Sequence, residues 1–156
     1  MITIVVHFYI YFNKKIKELR NRNKMTNNKK MLFWKQEIVG SNLIALDITK
    51  RKLLYFNEIN NRSACLIIDL RHVNGCTVKK QYNGINAGGL MNKKLQDYLK
   101  SILLHLCFKN SNRTIALSFY EEQKNNSEDA ACLELKAKEW ETTISKLLTR
   151  QLAGRA

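Results

Sequence analysis

Near its C-terminus the chain places apolar residues at Leu133, Ala137, Trp140, Ile144 and Leu147, with spacings of four, three, four and three. That spacing lines one face of an α-helix. Glu134, Lys136, Lys138, Glu139 and Glu141 fall between them and form a wet opposite face. The pattern predicts a helix of about 22 residues. Ser127 is placed to cap it, Glu128 and Asp129 suit its first turn, and Lys146 and Arg150 suit its last, with Gly154 beyond. A helix with one apolar stripe must cover an apolar surface. Whatever precedes it has to provide that surface.

The preceding residues read as short strands. Asn42–Ile48 alternates, with Ile44, Leu46 and Ile48 on one face, and Lys52–Asn57 returns after a bend at Asp47–Arg51. Asn57–Arg62 is a polar loop. Ala64–Leu70 is the next strand, with Leu66, Ile68 and Leu70 on one side and Cys65 and Ile67 on the other. Asn74-Gly75 is a strong two-residue hairpin signal, since both residues accept positive φ, so Cys76–Tyr82 is expected to pair back on Ala64–Leu70. Asn83–Asn92, with Gly84, Gly88 and Gly89, reads as either a short irregular strand or a loop. Leu99–Phe108 and Thr114–Tyr120 close the series around the turn Asn110-Ser111-Asn112. The expected fold is mainly β: a small bent antiparallel sheet or partly open barrel of six to seven strands, capped by one C-terminal helix.

The chain of 156 residues has no proline, which excludes polyproline ligands and collagen-like repeats. Apolar residues are 45% and charged residues 26%, enough for a real core and against wholesale disorder. The domain is expected over residues 32–150, with 151–156 as a tail.

Before it lie an apolar run, Ile2–Phe12, and a basic polar stretch over residues 13–31. A 12-residue helix is about 18 Å long against a hydrocarbon core of about 30 Å, so the run does not span alone. Its border resembles the cytoplasmic end of a membrane helix: Tyr9, Tyr11 and Phe12 beside Lys14, Lys15 and Lys17, followed by Arg20, Arg22 and Lys24. One reading is the C-terminal half of a membrane anchor whose first residues are missing. The other is a strand, since Ile, Val, Phe and Tyr all favour strands. On the first, the domain sits at the cytoplasmic face of a membrane.

The formal net charge is +14. Residues 1–31 hold eight Lys/Arg and one acid, residues 32–120 thirteen and five, residues 121–156 six and seven. Such a distribution draws a protein to anionic lipid or to nucleic acid.

The order of elements resembles the pleckstrin-homology-like superfold, seven strands in two sheets closed by a C-terminal helix. The resemblance rests on Leu43–Asp47, Lys52–Phe56, Leu66–Leu70, Ser118–Tyr120 and the Trp140-bearing helix. In particular the chain is similar to small bacterial proteins with one N-terminal membrane helix and a cytoplasmic domain of this type. The resemblance implies basic ligand-facing residues at the mouth of the first hairpin, where Lys50, Arg51 and Lys52 stand. The superfold's Arg-x-Arg on the second strand is absent, since that strand reads Lys52-Leu53-Leu54-Tyr55. Specific phosphoinositide recognition is therefore not expected.

Catalytic and metal chemistry find no motif. Cys65, Cys76, Cys107 and Cys132 lack C-x-x-C spacing, and Cys65 and Cys76 read as small core residues. His7, His72 and His105 lie in different elements, and His105 is expected to face away from the core as a surface residue. Gly84–Gly89 lacks the Gly-Lys-Ser/Thr ending of a phosphate loop. Asp47 and Asp69 read as turn formers, and Trp34 and Trp140 as packing residues. No cofactor is expected. The expectation is a non-enzymatic interaction or scaffolding domain held beside an anionic membrane, with a protein partner. The alternative is a basic nucleic-acid-binding protein.

Overall fold

The computed structural model describes residues 32–40, 42–59, 62–84, 95–109, 111–125 and 129–153. Met1–Leu32 and Phe33–Ala156 form separate units, and the strands and the helix lie in the second. The expectations for Ile2–Phe12, for Lys14, Lys15, Lys17, Arg20, Arg22 and Lys24, for Gly88 and Gly89, and for Ser127 and Glu128 lie outside the described residues.

The strands are β1 (Lys35–Val39), β2 (Asn42–Asp47), β3 (Lys52–Ile59), β4 (Arg62–Asp69), β5 (Val73–Tyr82), β6 (Leu99–Phe108) and β7 (Thr114–Glu121). The helix α1 (Ala130–Ala153) comes after them. All pairings are antiparallel, in a four-stranded sheet of order β1-β2-β3-β4 and a three-stranded sheet of order β5-β6-β7. Among the described residues the sheets do not close into a barrel. The mainly β architecture with one C-terminal helix is as the hydropathy pattern required.

The helix buries the expected stripe. Leu133, Ala137, Trp140 and Ile144 face the core, joined by Ala130 and Leu148, while Leu147 is only partly buried. They pack with Ile44, Leu46 and Leu53 from the first sheet and Ile102, Leu104, Leu106, Leu117 and Phe119 from the second. The strand β6 alternates from Ile102 to Cys107 as its sequence predicts, while Ser101 is buried beside Ile102 and Phe108 is only partly buried. The Trp140 indole N–H donates to Glu37 Oε2 at 2.9 Å, and Lys35 Nζ lies 4.8 Å from the centroid of the Trp140 ring. The other Glu37 oxygen, Oε1, is 3.0 Å from Lys136 Nζ. A buried indole needs such a partner, and β1 supplies it.

Five expectations are corrected. First, β1 stands where the hydropathy pattern predicts no strand. Its residues Lys35-Gln36-Glu37-Ile38-Val39 are too polar to signal one, yet they complete the sheet through β2. Second, Asn74-Gly75 is not a hairpin. Both residues lie inside β5, at a register shift opposite Phe108 and Cys107. The chain changes sheet through a 3-10 turn at Leu70–His72, so β5 pairs β6 and not β4. Third, Cys65 is exposed and only Cys76 is buried. Fourth, His105 is half-buried, with Nε2 enclosed and without a hydrogen-bond partner. Fifth, of the two tryptophans expected to pack, Trp140 does and Trp34 is 66% exposed.

Candidate anion-facing site

Three turns meet at one corner of the molecule, and each brings cations. The first joins β2 to β3. Asp47 Oδ1 accepts the Lys50 N–H at 2.9 Å, and the Arg51 N–H donates to the Ile48 carbonyl at 3.2 Å. Asp47 is therefore the turn former that its position suggested. Arg51 has φ +53°, a left-handed conformation that favours glycine.

The second is the 3-10 turn at Leu70–His72. Asp69 Oδ1 accepts the Arg71 N–H at 3.0 Å, and the Asp69 carboxylate also holds the Arg71 guanidinium, with Nε 2.9 Å from Oδ1. The hydrogen bond from the guanidinium lowers the Asp69 carboxyl to about 2, and the carboxylate in turn raises Arg71. The Leu70 N–H donates to the Arg51 carbonyl at 2.8 Å and ties this turn to the first.

The third joins β6 to β7. The Lys109 N–H donates to the His72 carbonyl at 2.8 Å, and Lys109 Nζ donates to the Arg71 carbonyl at 3.0 Å. Arg113 stands on the same turn, its carbonyl accepting from the Phe108 N–H at 3.1 Å. Lys50, Arg51, Lys52, Arg71, Lys109 and Arg113 thus share a corner with two carboxylates, Asp47 and Asp69.

Lys50, Arg51 and Lys52 do stand together, but not where the resemblance implied. The first hairpin is β1–β2, turning at Gly40, and the basic triplet lies on the second. The shift comes directly from the unexpected β1. Neither Arg71 nor Lys109 stands out in the sequence. They join the triplet only through hydrogen bonds between turns, which no local spacing reveals.

Besides the Arg71–Asp69 pair of the corner, several lysines elsewhere sit directly against acids. Lys80 and Lys138 lie 2.8 and 2.7 Å from the two oxygens of Glu134, and the hydrogen bonds from Lys138 and Lys80 lower that carboxyl. Lys124 lies 2.7 Å from Glu121. Burial pushes the Cys76 thiol up to about 12, which suits a packing residue and not a nucleophile. Desolvation, with help from Lys79, lowers His105. Among the described residues no group of three or more His, Cys, Asp and Glu is placed to hold a metal ion, and no helix is long and apolar enough to cross a membrane.

Comparison with family models, with curated proteins and with solved structures returned no match.

Proposed function

We propose that the chain is a pleckstrin-homology-like, non-enzymatic interaction domain that works at the cytoplasmic face of an anionic membrane. The observation that carries this reading is the corner where Lys50, Arg51, Lys52, Arg71 and Lys109 are held together by backbone hydrogen bonds. Guanidinium and ammonium groups gathered on turns donate charge-assisted bonds to phosphate oxygens. Superfold position does not support the site, since the triplet lies on the second hairpin. The geometry of the corner supports it instead.

A surface patch alone gives weak, reversible attachment, and stable anchoring takes two signals. The second is the N-terminal sequence: an apolar run bordered by Lys14, Lys15 and Lys17, then Arg20, Arg22 and Lys24. The apolar run contributes attachment that salt does not screen, and the cations contribute attachment that it does.

Flotation of the full chain on neutral and anionic vesicles, at low and high salt, tests the reading. The expected result is flotation on anionic vesicles that weakens with salt and weakens further when Lys50, Arg51 and Lys52 are all changed to Gln. Failure to float on any vesicle overturns it. Binding to duplex nucleic acid with a steep salt dependence, and none to vesicles, replaces it with the nucleic-acid reading.

A further inference from the structure

The strand β4 ends the four-stranded sheet, and Ala64, Cys65, Leu66 and Ile67 are all exposed along it. Leu66 is 38% exposed and Ile67 45%. Natural sheets blunt such edges with lysine, proline, a bulge or a covering element. From Ala64 to Ile68 there is no charge and no proline, and the pairing with β3 runs without a register shift.

The other edges are guarded. On β1, Lys136 Nζ from the helix reaches the Ile38 carbonyl at 3.5 Å. On β7, the Ser118 carbonyl is taken by Asn42 Nδ2 at 3.0 Å and by the Tyr55 hydroxyl at 2.9 Å. On β5, the helix packs alongside, and Lys79 and Lys80 interrupt the apolar run. Among the described edges, β4 alone presents an apolar strand with none of these devices.

The backbone phase of β4 is fixed. The Leu70 N–H bonds to the Arg51 carbonyl, in continuation of the Lys52↔Asp69 register. Antiparallel pairs alternate, so even-numbered residues of β4 bond to β3. Cys65, Ile67 and Asp69 therefore turn their N–H and C=O groups outward.

We propose that β4 is a β-augmentation site: an extended segment of another protein adds to it antiparallel, with acidic residues at the segment's N-terminal end. Antiparallel addition brings that end against Asp69, where β4 runs into the cationic corner. Asp69 itself is paired with Arg71 there, and Lys50, Arg51, Lys52, Lys109 and Arg113 of the same corner leave it net positive beside the incoming acids. Apolar side chains at alternate positions lie beside Cys65 and Ile67. Pairing of β4 with a second copy would instead bring together two chains of +14 each, and like charge opposes it. The inference rests on the reading of the chain as an interaction domain: the backbone of the added segment uses the β4 edge, and its acids share the cationic corner that is offered to lipid.

The test uses the full chain and a synthetic peptide with a run of aspartates leading into alternating valine and threonine. Amide exchange at Cys65, Ile67 and Asp69 is expected to slow on adding the peptide, while Leu66 and Ile68 stay as they were. The same peptide with its aspartates moved to the C-terminal end is expected to bind about tenfold more weakly, because its acids then lie away from the corner. Ile67→Lys, at an exposed position that leaves the fold intact, and Cys65→Pro, which removes an outward N–H, are expected to abolish the protection while flotation on anionic vesicles is retained. Loss of flotation in the unaltered chain tells against the membrane reading alone. No binding, equal binding of both peptides, or binding indifferent to both variants overturns the proposal. So does protection of the same amides in the protein alone that grows with its concentration, which assigns the edge to a second copy.

Discussion

Arg51 sits at φ +53°, where an L side chain costs about 1–2 kcal/mol relative to glycine. A hairpin turn that tolerates this cost at a cation, beside Lys50 and Lys52, keeps charge where glycine would give stability. Arg51→Gly is therefore expected to raise stability by about 1 kcal/mol in urea denaturation and to weaken flotation on anionic vesicles. A merely structural role would move both together or neither. Asp69 gives a second expectation, in pH. Its carboxyl is lowered from 3.8 to about 2, chiefly by the hydrogen bond from Arg71. A depressed carboxyl contributes stability above its ordinary value and loses it as pH falls through the folded-state value. Stability should fall between pH 3.8 and about 2, and Asp69→Asn should flatten that part of the profile. An unchanged acid limb in the variant would show that the pair adds nothing to folding. At this scale the sequence is readable only where neighbours in space are neighbours in the chain. Lys50–Lys52 is such a run. Arg71 and Lys109 reach it through the Leu70–Arg51 and Lys109–His72 hydrogen bonds, and nothing local records those.

The helix α1 is legible in the sequence because its stripe repeats over many turns and polar residues fill the gaps. Its place in the core also sets a cost. Trp140 is fully buried, and its indole N–H is bonded to Glu37. Trp140→Ala is expected to lower stability by about 3–5 kcal/mol, and Trp140→Phe by about 1–3 kcal/mol, part of it from leaving the Glu37 oxygen short of a donor. The midpoint of urea unfolding should shift with little change in its slope; a shift of the slope instead would mean that the helix detaches before the sheets unfold. The strands are legible in proportion to their burial. Ile102, Leu104 and Leu106 declare β6, whereas Lys35, Gln36, Glu37 and Ile38 leave β1 hidden, because this edge strand is held by β2 and by the helix and not by its own hydropathy. Asn74-Gly75 misleads for the opposite reason. Its turn propensity is real, but the strong β6 ladder on either side continues the strand through it as a bulge.

Over the whole molecule the charge is sorted and not merely large. At the corner of the β2–β3, β4–β5 and β6–β7 turns, Lys50, Arg51, Lys52, Arg71, Lys109 and Arg113 outnumber Asp47 and Asp69. On the helix side Lys80, Lys124 and Lys138 are each within 3 Å of a carboxylate. Net charge alone treats these two groups alike, whereas a surface reads them differently. Two triple variants separate the possibilities. Changing Lys50, Arg51 and Lys52 to Gln and changing Lys80, Lys124 and Lys138 to Gln lower the net charge equally. Each cation near an anionic leaflet contributes about 1 kcal/mol, so the corner variant should lose up to about 100-fold in affinity for anionic vesicles. The helix-side variant should lose far less, because Lys80 lies near the far end of β5 from Val73, where that strand leaves the corner, more than a Debye length of about 8 Å away. Its stability should change little as well, since exposed ion pairs contribute roughly 0–1 kcal/mol each. Equal losses in the two variants would mean that the long-range field of a +14 chain does the binding, and the corner would then be an accident of where three turns meet. A loss confined to the corner variant, and abolished in high salt, ties attachment to the place where the fold gathers three basic turns around two acids.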